Sequence, residues 1–415
     1  MKLTRSAIFI IALTGVACAA IPAPALAAEA RPAATAAQRL AALADHYYDE
    51  QARFEPLNAT VAGDNRYDHL LPMTIVPAVR ARRFAMLHAA RDSLARIDRS
   101  KLAGTDLTTF DVLDFELNSA LAYEPFKDHL LPLSQMDSVP VVLANFGSGE
   151  DAQPIASVAQ YQAYLKRVEA LPLWIDAAIA NMRTGIKAGV VQPKSLVLAL
   201  QPQIKALADA PYEKSDFSAP VRRFPPAFSA ADKARLAGAY QQAVRGAVLP
   251  ALRRLAAFID TDYLPAARAS AGLGGLPDGA AWYRAAIRDQ TTTDLSPDEI
   301  HRIGLAEMTR IQAEYAKLGP KLGYGGVPVG LPAWLNQQEA THPFKTAAQV
   351  LQAYRDLNAR IMPLLPQLFA TMPKAPLEIR AEPELSRASA SDHYTAAAAD
   401  GARPGVFWAV IVDPA

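Results

Sequence analysis

From Tyr161 onward the apolar residues fall at steps of three, four and seven: Tyr161, Leu165, Val168, Ile175, Ile179, Met182 and Ile186. An α-helix turns every 3.6 residues, so these positions form one face of one long helix. Leu236, Tyr240, Val244, Val248, Leu252, Leu255 and Ile259 repeat the period. Ser229 precedes that run with Asp232 three residues on, an N-terminal cap pattern. Ser296-Pro297-Asp298-Glu299 is a stronger start signal. Serine caps, proline suits the first helical position, and Glu299 reaches back to the cap amide. The helix behind it is expected to turn Ile300, Ile303, Ile311, Tyr315 and Leu318 inward. Thr346 with Gln349 opens another, with Val350, Tyr354, Leu357, Ile361, Leu364 and Leu368 on one face. Pro363 and Pro366 should kink or shorten its end. Earlier helices are predicted over 35–54, 75–98 and 106–123.

Strand patterns are scarce. Leu377-Glu378-Ile379-Arg380 alternates, and Val406 to Val412 is a buried-type run. Loops are predicted at 130–154, 209–228, 270–280, 319–333 and 371–376. The chain therefore reads as mainly α, a multi-helix array with a few short strands near the C-terminus. No linker divides it. Asp-His-Leu-Leu-Pro occurs at 68–72 and again at 128–132, without the wider period that marks a repeat protein.

Composition narrows the function classes. The 42 Lys and Arg nearly balance 41 Asp and Glu, a net charge of +1 that excludes a broad basic footprint for nucleic acid. The single cysteine, Cys18, supports neither an internal disulfide nor a cysteine metal site. Lys2 and Arg5 lead into an apolar run from Ala7 to Ala20, then Pro22, Pro24 and Ala25-Leu26-Ala27. This predicts a signal peptide over residues 1–27, cut after Ala27, and an exported, periplasmic protein. Two alternatives are weaker. An uncleaved anchor needs about 20 apolar residues, and a lipid on Cys18 normally follows a large apolar residue where Gly15 stands. No later segment has the apolar length of a membrane span.

A search for chemistry removes several classes. None of the seven histidines pairs with another at helical spacing, so HExxH is absent. His46 and Glu50 share a predicted helix face but read as solvated. Asp298, Glu299 and His301 cluster at a helix start, where the carboxylates already serve the free amides. There is no GxSxG nucleophile elbow. Gly272-Leu273-Gly274-Gly275 lacks the lysine of a phosphate loop. Trp282-Tyr283 and Phe407-Trp408 read as core before they read as a pocket. Arg403-Pro404 could place a cation beside an anionic group or simply turn into a strand.

The segment from Tyr283 to Glu307, with Gln290-Thr291-Thr292-Thr293-Asp294-Leu295-Ser296-Pro297 at its centre, resembles the bacterial "domain of unknown function 885" family. Ala62-Gly63-Asp64-Asn65-Arg66-Tyr67-Asp68 resembles its early Gly-x-x-x-Tyr-Asp element. Asp262-Tyr263-Leu264-Pro265 with Gly275-Leu276-Pro277-Asp278-Gly279, and Asp400-Gly401-Ala402-Arg403-Pro404-Gly405-Val406-Phe407, resemble two more. The resemblance implies a helical zinc peptidase of the gluzincin kind. In such proteins a helix with two histidine ligands and a general-base glutamate follows the Arg-Pro-Gly-x-Phe strand. This sequence contains no such helix. On this reading residues 28–415 are an incomplete helical domain, the front part of a helical zinc-peptidase-like fold.

Zinc is implied for full-length members, and no position here matches a catalytic or metal residue. Arg403, Gly405 and Phe407 match a substrate-side strand and are the candidate cleft residues. Two readings of function follow. One is the front part of a zinc-dependent peptidase, inactive alone. The other is a non-catalytic periplasmic protein that binds a peptide or a partner. Both allow self-association, because helices normally covered by the absent part would expose apolar faces.

Overall fold

The computed structural model describes residues 34–412, except 137, 150–151, 388–389, 399–400 and 402. The expected signal peptide, with Cys18, lies outside the described residues, as do Asp400 and Ala402. The first helical unit begins with α1 (Ala36–Phe54). Thr35 caps it by accepting from the Gln38 amide, and the Gln38 side chain returns to the Thr35 amide. The short α2 (Pro56–Val61) starts on a proline, and α3 (Pro77–Leu94) and α4 (Gly104–Ala122) follow. α1, α3 and α4 close over Leu40, Phe84, Leu87, Leu94, Leu113 and Leu117. Their bounds fall within a few residues of those the pattern predicts.

The main core is built on α5 (Val139–Ser148), α6 (Val158–Ala188), α7 (Lys194–Asp209), α8 (Ala230–Ala243), α9 (Leu249–Phe258) and the single turn α10 (Leu264–Ala266). α6 runs through its middle and packs on α8 and α9. Its predicted face is buried from Tyr161 to Met182, and Ile186 is half-buried. Gly189 ends it in the left-handed region at φ 68°, as a Cβ-free residue does without cost. The expected Ser229 cap is present, accepting from the Asp232 amide. α5 lies where a loop is predicted. It buries Pro140, Val141, Leu143, Ala144, Phe146 and Gly147, which is nearly all of its circumference, so it has no amphipathic period to read.

α8, α9 and α10 are one rod joined by two π-helical turns, Val244–Val248 and Ile259–Tyr263. A proline follows each turn by two residues, Pro250 and Pro265. A proline ring has no N–H and presses on the carbonyl four residues back. The wider turn moves that carbonyl aside, so the rod continues instead of breaking.

The last part contains α11 (Gly279–Thr291), α12 (Pro297–Leu318), α13 (Leu331–Leu335), α14 (Ala347–Ile361) and the turn α15 (Glu384–Arg387). α11 is tied to the body by Trp282, stacked on Phe126 at 5.3 Å. The Ser296–Glu299 and Thr346–Gln349 capping boxes form as the sequence predicts. The expected inward faces do not bury. In α12, Ile300, Ile311 and Tyr315 are half-covered while Ile303 and Leu318 are 53% and 45% exposed. In α14 and the turn after it, Val350 and Tyr354 are half-covered. Leu357, Ile361, Leu364 and Leu368 stand in solvent. The periodicity is real, but too little of the described chain packs on these faces.

Three strands, β1 (Leu377–Ala381), β2 (His393–Thr395) and β3 (Gly405–Ala409), form a sheet in the order β1-β3-β2. β1 runs parallel to β3 and β2 antiparallel. β2 is too short to show an alternating run, and β3 stops at Ala409 instead of reaching Val412. Among the described residues, no helix is long and apolar enough to cross a membrane.

Two glycines separate close packing from propensity. A Cβ at Gly185 would run into the Val190 carbonyl and approach the Leu130 carbonyl, whereas one at Gly238 in α8 meets nothing within 4 Å. Gly185→Ala is expected to destabilise by about 1–3 kcal/mol, as overpacking does. Gly238→Ala should stabilise by about 0.5–1 kcal/mol. Urea unfolding reads both, and equal effects would contradict the packing described.

Candidate functional site

Side chains alternate along β3, and pairing sorts the sheet into two faces. Arg380, Trp408 and His393 share one face with Val406 and Thr395. That face looks onto a cavity of about 380 Å³. Arg380, Thr395, Val406 and Trp408 line one side. The turn at Gly63 and Asn65 and the stretch from Ala152 to Ile155 line the other, and Arg403-Pro404 forms the rim. The Trp408 indole N–H donates to Thr395 Oγ1 at 2.8 Å, and the Arg380 guanidinium lies 5.9 Å over its ring. Arg403 donates from Nη2 to the Val61 carbonyl, tying the rim to the far wall.

That far wall is fixed from beneath by Arg167 of α6, which is fully buried. Its Nε donates to the Leu70 carbonyl at 2.8 Å. Its Nη2 reaches Thr60 Oγ1 at 2.8 Å and the carbonyls of Pro56 and Tyr67 at 3.0 and 3.2 Å. Nη1 donates to the Gln153 side-chain oxygen. Thr60 donates onward to Asp68 Oδ1 at 2.6 Å, and Asn65 Nδ2 donates to Asp68 Oδ2 at 3.0 Å. Burial pulls the Arg167 pKa down to about 10. Burial also raises that of Asp68, although Thr60 and the guanidinium 3.9 Å away favour its charge. Among the described residues, Gln153 Nε2 has no hydrogen-bond partner.

Of the three predicted cleft residues, Arg403 lines the cavity and the other two face away. Phe407 packs 5.1 Å from the Tyr354 ring of α14, and Gly405 lies under the Tyr394 hydroxyl. The cavity residues of the strand are Val406 and Trp408, one step out of register with the prediction. β3 is also the middle strand, with both neighbours in place. The Thr-rich segment lies at the α11–α12 junction. Thr292 ends α11 at φ 57°, Thr291 Oγ1 bonds back to the Ile287 carbonyl, and Glu299 serves the Ser296 cap. The Ser296 hydroxyl and amide hold the Glu299 carboxyl below its usual range.

Arg167 and Gln153 are not found from sequence motifs. Arg167 did leave one signal: with Tyr164, Leu171, Trp174 and Ala178 it falls at steps of three and four on the inward face of α6.

The described residues contain no group of three His, Cys, Asp or Glu side chains that could hold a metal ion. Glu50 pairs with Arg53 at 3.5 Å, and His393 lies 3.7 Å from Glu382. Among the described residues, the zinc implied by resemblance therefore finds no fitting donor set.

Fold and cavity together define a mainly helical protein whose small mixed sheet closes one side of an open cleft. The family model described as bacterial protein of unknown function (DUF885) matches residues 56–414, and the chain belongs to that family. No curated protein matches the chain. Its fold is similar to the crystal structure of the putative lipoprotein from Colwellia psychrerythraea, with a TM-score of 0.78 at 20% identity. That match covers 91% of this chain and 68% of the other. A putative lipoprotein of unknown function from Shewanella oneidensis matches with a TM-score of 0.61 at 17% identity, over 92% of this chain and 65% of that one. The chain thus spans about two thirds of the length of each solved structure.

Arg167→Met removes the donor to one hydroxyl, one amide and three carbonyls, and is expected to cost about 3–5 kcal/mol in urea unfolding. A loss below about 1 kcal/mol would mean that water replaces the guanidinium. Asp68 gives a pH test. Its folded pKa is raised, so its contribution to stability is present below pH 3.8 and is lost as pH rises through the folded value. The stability of Asp68→Asn relative to the parent should therefore improve with rising pH. A flat or falling difference would reverse the assigned direction.

Proposed function

We propose that this chain is the front part of an exported hydrolase fold of the zinc-peptidase kind. On this reading it supplies one wall of a peptide cleft and does not cleave by itself. The observation that carries the reading is a convergence in space. Two segments that resemble family elements, the Gly63–Asp68 turn and the Arg403–Phe407 stretch, meet at one cavity. Arg403 donates to the carbonyl of Val61, two residues before that turn, across 342 positions of sequence. Ligand sites are concave and largely pre-formed, as this cavity is. Family membership over residues 56–414 supports the assignment of the fold, and the peptidase chemistry rests on the resemblance.

The cavity suits an extended polypeptide. Trp408, Val406 and Ile155 offer apolar contact, and Asn65, Thr395 and the arginines offer hydrogen bonds to main-chain carbonyls. Cleavage would need about three metal ligands and an open position, and this sequence has no HExxH to supply them. Export rests on the basic start, the apolar run and Ala25-Leu26-Ala27. Solved proteins of the same fold described as putative lipoproteins support it.

The test uses the purified chain from residue 28 to 415. It is expected to carry no stoichiometric zinc and to leave peptides of a tryptic digest uncut. Those peptides should still shift tryptophan emission, and Trp408→Phe should abolish the shift while the circular dichroism spectrum stays that of the folded, helical protein. One zinc per chain with cleavage would overturn the inactive reading, and no peptide response would overturn the cleft.

A further inference from the structure

Just past the end of β1 the chain carries Glu382, which is 5% exposed. It lines a second cavity, of about 290 Å³, together with Gln135, Gln203 and His393. Each of these four side chains carries an acceptor, and among the described residues no lysine or arginine lines the cavity. The Gln135 side-chain oxygen is buried and has no hydrogen-bond donor among the described residues. A buried acceptor left unpaired is costly, and a bound donor would relieve it. Val141 and Val142 of α5, with Met136, make the apolar part of the wall. We propose that this cavity binds a primary ammonium group carried on a short apolar stem.

The charge of the site comes from Glu382. Arg387 turns Nε and Nη2 to the Glu382 main-chain carbonyl, both at 3.3 Å. His393 Nδ1 lies 3.7 Å from the Glu382 carboxylate and 3.1 Å from the Ser391 carbonyl. A carbonyl only accepts, so Nδ1 carries the hydrogen, and that bond needs no charge on the ring. A ligand cation therefore meets a buried carboxylate, where attraction is stronger than at the surface. An ammonium has three N–H donors to divide between the carboxylate and the amide oxygens. Its methylene stem would cover Val141 and Val142, as the stem of a lysine covers apolar surface. A metal ion fits less well, because the described residues offer no group of three ligating side chains. His393 also stacks on Trp408, with ring centroids 6.3 Å apart, so this cavity stands next to the peptide cleft on the same face of the sheet. The inference does not rest on the peptide reading, since a free amine tests it alone.

Saturation-transfer NMR of n-butylammonium with the chain from residue 28 to 415 should show binding with a Kd of about 1 mM, as suits so small a ligand. n-Butanol should not bind. Glu382→Gln and Gln135→Leu should each weaken binding by at least about tenfold, with the circular dichroism spectrum still that of the helical protein. Glu314→Gln, which removes an exposed carboxylate from α12, should leave binding as it is. If Glu382→Gln does not fold, Gln135→Leu decides. Two competitors identify the source of the ammonium: trialanine with a free N-terminus, and N-acetylated trialanine with lysine in the middle. Displacement by the first marks a peptide N-terminus, by the second a lysine side chain, and by neither a free amine. The proposal is overturned if n-butylammonium does not bind, if n-butanol binds equally well, or if the cavity substitutions leave binding unchanged.

Discussion

The structure depends on how one buried charge is satisfied. Arg167 lies in the middle of the long α6 helix with no exposure to solvent, where an unpaired guanidinium would cost several kcal/mol. It is tolerable because the surrounding chain brings acceptors to it. Pro56, Tyr67 and Leu70 present carbonyls, and Thr60 and Gln153 present side-chain oxygens. Those five residues belong to segments with little regular structure of their own, α2 and the turns on either side of the cavity. The demand of one side chain thus fixes the turn that carries Asn65 and the stretch that carries Gln153. The Gly63–Asp68 segment, singled out in the sequence for its resemblance to a family element, owes its geometry to this network.

Much of the helical framework is legible in the sequence because it rests on local rules. The Ser229, Ser296 and Thr346 caps and the apolar faces of α6 and of the α8–α9 rod follow from spacing alone. What escapes is set by tertiary surroundings. α5 is buried nearly all round, so it lacks a period. β2 has three residues and exists because β3 offers it a partner. The site is half legible: Arg403 lines the cavity, but which alternate residues of β3 face it depends on which side of the sheet the body occupies. Strand alternation permits either choice, and packing of Phe407 on Tyr354 decides it.

The two halves of the chain differ in how well their patterns are fulfilled. From α5 to α10 the predicted apolar positions are nearly all covered, and the core is continuous. From α12 onward the same kind of pattern is left in solvent, although capping and periodicity are as good. Local sequence rules form a helix, but they do not supply what packs on it. The cavity sits where the covered part meets the sparsely covered part, with Arg167 holding its far wall and the small sheet forming the other.

The rod from α8 to α10 has one more consequence. Leu236, Tyr240, Val244, Val248 and Leu252 are spaced by four throughout, and each such step gains roughly 40° on an ideal helix. Four steps would swing the stripe roughly 160° away from the core, yet all five residues are fully buried. The π turn at Val244–Val248 absorbs the drift, because it holds one residue more than an α turn. In evolutionary terms it behaves as a one-residue insertion that the helix absorbs locally. Deleting a single residue there would replace one step of four by a step of three and leave the stripe on the core side of a regular helix. Leu252, Leu255 and Ile259 would still face inward, and what the deletion would remove is the room that the wide turn makes for Pro250.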